Sequence, residues 1–270
     1  MNTRPPLDVT VLRDGLASLP WRRIDVVEET GSTNADLLAS AAAGEDIAGA
    51  VLFAEYQSEG RGRQGRQWSA PPRSQLSVSV GVDANGVPVE SWGWLPLATG
   101  VAVVDAVADV TGVRVGLKWP NDVLVGPGGG KLAGILSEVA SPAQVIVVGL
   151  GLNVTMTTDE APDPRATSLT QLGAATVDRT PLAEVLLRHL ASRVDAWRRG
   201  DSTLAADYLS RSVTIGTRVR AIMPGDHTVV GVAEAIDELG RLVIRTDPGT
   251  GAGQVTVSAG DIVHLRPDEP

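Results

Sequence analysis

The sequence predicts an α+β fold, with a mixed sheet and helices over residues 1–212 and a small β-barrel over residues 213–270. Two observations carry this reading. Before Ser212, short apolar runs alternate with stretches whose apolar residues recur at helical spacing. After Ser212 that spacing stops, and TRVRAIM, HTVVGVAEAIDELGRLVIRTD and GQVTVSAGDIVHLRP read as short strands between glycine- and Asp-bearing turns.

Taken in order, Val9 to Leu19 carries a short helical pattern and WRRIDVVEE a strand. In ETGSTNADLLASAAAGED, Thr33 and Asp36 are spaced as an N-terminal capping pair, with Leu37, Leu38 and Ala41 on the buried side. AVLFAEY (50–56) is a strand, and LSVSVGV (76–82) alternates like a half-exposed one. Leu97, Val101, Val104 and Ala108 mark a helix from Trp94 to Val110, with Gly112 as its stop. VGLKW (115–119), DVLV (122–125) and KLAGILSEVA (131–140) are strands, the last two joined by a GPGGG hairpin turn, and QVIVVGLGLNV (144–154) is a buried strand. Residues 155–168 read as a surface loop. Thr180 as cap and Pro181 at the first helical position open a helix lined by Leu182, Leu186, Leu190, Val194 and Trp197 and ended by Gly200.

Composition narrows the function. The chain has 270 residues, 43% hydrophobic, with a net charge of −9, which disfavours general binding of nucleic acid or anionic membrane. There is no cysteine, so disulfides, thiolate nucleophiles and Cys-ligated metals are excluded. The N-terminal MNTRPPLDVT lacks the apolar core of a signal peptide, and no uninterrupted apolar span reaches transmembrane length; a soluble cytoplasmic protein is expected. The three histidines, His189, His227 and His264, have no metal spacing. GPGGGKL has the wrong glycine spacing for a P-loop and Leu132 in place of the hydroxyl residue; GLGLNV lacks a third glycine, and no G-x-S-x-G occurs.

Against that acidic background QSEGRGRQGRQW (57–68) is a positive island. Arg61, Arg63 and Arg66 alternate with Gly60, Gly62 and Gly65, and Trp68 closes the run. Glycines let bare backbone N–H groups approach a ligand, and arginine offers forked donors to carboxylate or phosphate. An anionic small molecule, a flexible solvated loop and an RGG-like nucleic-acid segment all fit the run taken alone. Three further segments have similar character: GSTN (31–34) at a helix start, KWPND (118–122), and GGGKLAGILSE with Lys131 beside a hairpin and Gly134 inside a strand.

In this order the four segments resemble the biotin protein ligases, over about residues 21 to 155, and the terminal β module fits that family's SH3-like C-terminal domain. The family's usual loop reads GRGRRGR, where this chain has Gln64. The resemblance implies a class II synthetase-like catalytic domain that activates biotin with ATP and Mg²⁺ to biotinyl-AMP, then transfers biotin to a lysine of a biotin carboxyl carrier domain. It implies that Ser32, Thr33, Asn34 and Gln57, with Gly60 and Arg61, hold biotin, and that Gly134 gives it room. Arg61, Arg63 and Lys131 face the carboxylate and α-phosphate; Arg66, Trp68, Asn121 and Asn153 complete the ATP site; Asp122 orients Lys131 or assists the incoming lysine. The metal ligands are left open. Family members that bind operator DNA place a further domain before the ligase; GSTN begins already at residue 31, so no DNA binding is expected. Rival readings are a lipoate or octanoyl transferase on the same fold, disfavoured by KWPND and KLAG, and a non-enzymatic RNA binder, disfavoured by 3% aromatics and the acidic balance.

Overall fold

The protein is described from a computed structural model covering residues 4–126, 129–141, 144–223, 225, 227–247, 253–262 and 264–267. Helix α1 (Val9–Leu16) starts where the Asp8 carboxylate accepts the N–H groups of Thr10 and Val11. Strand β1 (Arg23–Thr30), helix α2 (Thr33–Ala42) and strand β2 (Ala50–Gln57) form a parallel crossover unit. β3 (Gln75–Asp83) follows the Gly/Arg loop, and α3 (Trp94–Thr111) ends on Gly112, whose φ of 72° is the left-handed conformation a helix stop requires. Strands β4 (Gly116–Lys118), β5 (Asp122–Leu124), β6 (Lys131–Ala140) and β7 (Val145–Asn153) complete a sheet in the order β1-β2-β3-β7-β6-β5-β4, antiparallel beyond β2. Residues 127 and 128 of the expected GPGGG turn lie outside the described residues.

Side-chain alternation in β3 and β7 decides where the site can be. Leu76, Val78, Val80 and Val82, with Ile146, Val148, Leu150 and Leu152, join the main core under α3 and α4 (Arg179–Arg198). On the opposite face Val145 and Val147 pack with Leu37, Ala41 and Ile47 around α2. The rest of that face is not apolar: Gln75, Ser77 and Ser79 on β3 and Asn153 on β7 are buried polar residues. The serines of LSVSVGV are therefore not solvent-facing, as the alternation suggested; that face is covered, and part of it walls a cleft.

Two helix starts differ from expectation. The N-cap of α2 is Ser32, and Asp36 turns back to accept a hydrogen bond from Thr30 Oγ1 at 2.5 Å, which frees Thr33 to face inward. The N-cap of α4 is Asp178, because its carboxylate accepts from Thr180 N–H, two residues before the predicted cap. Helix α5 (Thr203–Arg211) was not anticipated: its inward side is only Leu204 and Tyr208, too brief a period to stand out.

The second sheet, β8 (Arg218–Ile222), β9 (Thr228–Ile236), β10 (Leu242–Thr246), β11 (Gln254–Val257) and β12 (His264–Pro267), is antiparallel in the order β11-β10-β9-β8-β12. Its β9–β10 turn is fastened to the β4–β5 turn and to α3 by two indole N–H groups: Trp119 Nε1 donates to Gly240 O at 3.1 Å and Trp94 Nε1 to Glu238 O at 3.0 Å. Among the described residues, Val89–Thr111 is the one helical stretch long and apolar enough to cross a membrane, and most of it is buried in the core.

Candidate active site

The polar ends of β3 and β7, the start of α2, the Gly/Arg loop and the turn before β5 enclose a cleft of about 580 Å³. Its inner half is built on α2 and β3. Thr33 N–H donates to Gln57 Oε1 at 2.8 Å, and Thr33 Oγ1 lies 2.7 Å from Ser79 Oγ and 3.1 Å from Gln57 Oε1. Ser79 Oγ donates to Asn34 Oδ1 at 2.6 Å, and Asn34 Nδ2 donates to Glu138 Oε2 at 2.7 Å. A Cβ at Gly149 would collide with the Asn34 amide, so glycine is what lets α2 approach β7 there.

The outer half collects charge. Lys131 Nζ is 2.5 Å from Asp122 Oδ1 and Lys118 Nζ 3.7 Å from Asp122 Oδ2, two cations on one carboxylate. Burial pushes the Lys118 ammonium below its ordinary pKa, opposed by Asp122. The Trp68 indole lies between Lys131, whose Nζ is 5.3 Å from the ring centroid, and the backbone of β7, where a Cβ at Gly151 would strike the ring. Gly134 pairs with Gly151 across β6 and β7, so the two glycines form a flat seat under the indole. Trp68 Nε1 donates to Gln75 Oε1 at 2.7 Å and fixes the ring's rotation.

The Gly/Arg loop folds into a small hairpin, with Trp68 N–H donating to Gly60 O at 2.8 Å and Gly62 N–H to Arg66 O at 2.7 Å. Arg61 and Arg66 are exposed at the cleft mouth. Arg63 is otherwise engaged: it donates to Asn121 Oδ1 at 3.3 Å, to Ile262 O at 3.2 Å and to Ala259 O, so two of its three acceptors belong to the second sheet's segment. Burial lowers its pKa from the ordinary guanidinium value. Gln64, at a left-handed φ of 56°, donates to Ile262 O at 2.8 Å.

All the residues read from the sequence gather in or against this one cleft. Ser32, Thr33, Asn34, Gln57, Arg61, Arg63, Arg66, Trp68, Asn121, Asp122, Lys131, Gly134 and Asn153 line it, and Gly60 sits behind Trp68. Asn153 is turned toward the protein: its Nδ2 donates to Thr167 O at 2.9 Å and sits 3.5 Å from Lys131 O. That contact corrects the reading of residues 155–168 as a plain surface loop. Lys131 N–H donates to Arg165 O at 2.6 Å and Thr167 N–H to Lys131 O at 3.0 Å, so the segment straps across the start of β6 and its Arg165 lines the cleft. Arg165 in turn holds the Asp163 carboxyl down to about 2. Sequence reasoning missed Ser79, Gln75, Glu138 and this strap. The one available signal was the pair of serines in a strand whose neighbours are all apolar. Among the described residues no three His, Cys, Asp or Glu side chains gather to hold a metal.

Residues 27–153 match the model of the biotin/lipoate A/B protein ligase family, and residues 214–265 the biotin protein ligase C terminal domain. The chain is 56% identical to the biotin--[acetyl-CoA-carboxylase] ligase of Mycobacterium tuberculosis over 97% of both chains. It is 31% identical to the bifunctional ligase/repressor BirA of Bacillus spizizenii over 83% of this chain and 69% of that one. Among solved structures, the biotin protein ligase from Aquifex aeolicus in complex with biotin and ATP superimposes with a TM-score of 0.76 at 25% identity, covering 91% of this chain and 99% of that chain.

Proposed function

The chain belongs to the biotin protein ligase family, and from that membership we propose how its cleft activates biotin with ATP and passes it to a carrier lysine. The observation that carries the proposal is the division of the cleft. A buried, uncharged polar cluster at one end suits a neutral heterocycle, and Lys131, Arg61 and Arg66 at the other suit a carboxylate meeting a triphosphate.

Thr33 and Gln57, backed by Ser32 and Asn34, read the ureido ring, with the backbone of Gly60 and Arg61 closing over it and Gly134 leaving room along β6. In the first step a biotin carboxylate oxygen attacks the α-phosphorus, and the bond to the bridging oxygen breaks to release pyrophosphate. Each close pair of like charges opposes this by about 4 kcal/mol at an effective dielectric near 20. Lys131, fixed by Asp122, neutralises the carboxylate and α-phosphate; Arg61 and Arg66 neutralise the departing phosphates. Arg63 joins them by exchanging its carbonyl partners for phosphate oxygens, and Asn121 stands beside it. Trp68 offers its face to the nucleotide, and Asn153 holds the strap that borders the adenine.

In the second step the carrier lysine's neutral amine attacks the acyl carbon, its nitrogen loses a proton, and AMP leaves with the electron pair of the acyl–oxygen bond. Asp122 stands close enough to Lys131 to orient it, and that is the role assigned here. With no acidic cluster in the described residues, Mg²⁺ fits as an ion brought in on ATP, where Asp122 or Asn121 could add one oxygen ligand and the ion would neutralise phosphate charge. The acidic balance of −9 supports a ligase that acts on a carrier protein without binding DNA, and its proposed place is the cytoplasm.

The test is pyrophosphate release from ATP in the presence of biotin or lipoate, followed by biotin transfer to a carrier domain. Release should depend on biotin and not on lipoate. Release driven by lipoate, or by neither acid, would overturn the reading.

A further inference from the structure

The polar side chains of the inner half run in a line from β6 to the cleft, and their proton positions follow from which atoms carry no hydrogen. Asn34 Nδ2 donates to the Glu138 carboxylate at 2.7 Å and to Leu136 O at 3.3 Å. Both acceptors lack protons, so the amide nitrogen is turned to them and Asn34 Oδ1 to Ser79. That oxygen can only accept; its 2.6 Å contact with Ser79 Oγ therefore takes the single Ser79 proton. The 2.7 Å contact between Ser79 Oγ and Thr33 Oγ1 also needs a proton, and only Thr33 has one left to give. None remains for Gln57 Oε1, 3.1 Å from Thr33 Oγ1, whose orientation the Thr33 N–H fixes at 2.8 Å.

We propose that Glu138, Asn34 and Ser79 are positioning residues that turn the Thr33 hydroxyl proton toward Ser79 and leave the lone pairs of Thr33 Oγ1 and Gln57 Oε1 facing the ligand as acceptors, selecting a ligand with N–H donors. This rests on the placement of biotin's ring in the inner half. With the hydroxyl proton turned away, no hydrogen lies between these two oxygens 3.1 Å apart, and a urea supplies two N–H groups to their free lone pairs where the dithiolane of lipoate supplies none. A pocket whose buried polar atoms stay unpaired with the wrong ligand rejects that ligand far more strongly than a merely apolar pocket could. The line is itself buried, with Ser79 0%, Thr33 3% and Asn34 4% exposed, so water cannot readily substitute.

The experiment is calorimetric titration of the full chain with biotin, with dethiobiotin, which keeps the urea and lacks the sulfur, and with lipoate. Ser79→Ala hands the Thr33 proton back to Gln57, and the dissociation constants for biotin and dethiobiotin should each rise about tenfold while KM for ATP stays within about twofold. On a Thr33→Val background the same substitution should add less than about twofold, because the atom it acts through is already gone. Should Ser79→Ala fail to fold, Glu138→Ala at the half-buried end should give about a threefold loss, Leu136 O still holding the amide. An unchanged biotin affinity, an equal loss in both backgrounds, or a parallel rise in KM for ATP overturns the relay alone. An unmodified chain that does not bind biotin overturns the functional reading, and the relay with it.

Discussion

Around the inner half of the cleft, each polar side chain is held by another: Thr33, Ser79 and Asn34 form one hydrogen-bonded line, rooted in Glu138 and the backbone of Leu136. Across the cleft, the Gly/Arg loop is held at its tip by donors that reach out of it, from Arg63 and Gln64 to the carbonyls of Ala259 and Ile262. The first arrangement is complete before any ligand arrives, and the second can be exchanged for ligand contacts. A neutral heterocycle is best read by groups that do not move, since a misplaced buried donor or acceptor goes unpaired. A phosphate that must be bound, cut and released is better served by cations with alternative partners.

Three substitutions sharpen or break that contrast. The largest effect is expected from Lys131→Ala, which removes the fixed cation between carboxylate and α-phosphate and should cost about 3–4 kcal/mol, or a hundredfold or more, in biotinyl-AMP synthesis. With biotinyl-AMP supplied, transfer to the carrier should stay much closer to normal, and rapid-quench assay of the two steps separates them. If both steps and the melting temperature fall together, the Lys131 side chain only holds Asp122 and the Trp68 ring in place. Next is Thr33→Val, which should weaken biotin by about 2 kcal/mol, roughly thirtyfold, by leaving Ser79 and the ligand without their shared oxygen. Calorimetry reads it directly, and a loss shared equally with ATP would show that the inner half is not specific for biotin. Smaller still are the tethers. Arg63→Gly should release biotinyl-AMP about tenfold faster while slowing its formation less, and Gln64→Ala, which breaks one part-buried neutral contact, should speed release by about twofold. Trapping of the free adenylate measures both, and slow formation with tight retention in Arg63→Gly would make Arg63 a group of the chemical step. Hydrogen exchange should show the same order, with amides of residues 60–66 exchanging faster than those of β3 and β7 and becoming protected by biotin.

The loop, KWPND and KLAGIL were legible because glycines next to arginines, and a lysine beside a hairpin, are unusual in an acidic chain. The long helices α3 and α4 and most strands were legible from apolar period alone. What stayed hidden depends on contacts between distant residues. The Ser79 relay joins Thr33 to Glu138 across 105 positions, and the SVSV alternation marks the serines without telling a buried one from an exposed one. The strap at 163–167 consists of backbone hydrogen bonds to Lys131, which leave no side-chain pattern. Gln64 read as a missing charge; its role as a neutral donor to Ile262 O required the second sheet to be in place.

The two indole N–H groups that reach the β9–β10 turn bear on how the molecule comes apart. A change of grammar near Ser212 suggests a place to cut the chain, yet Trp119 is wholly buried and its indole N–H donates to Gly240 O, beyond the cut. Trp94, likewise buried, depends on Glu238 O. Severing the second sheet would strand both donors in an apolar setting and remove the carbonyls that steady Arg63, so the two sheets should unfold as a single cooperative unit. The small sheet is thus less a passenger than a lid screwed onto the larger one, and a shortened chain would inherit an opened core along with a loosened loop.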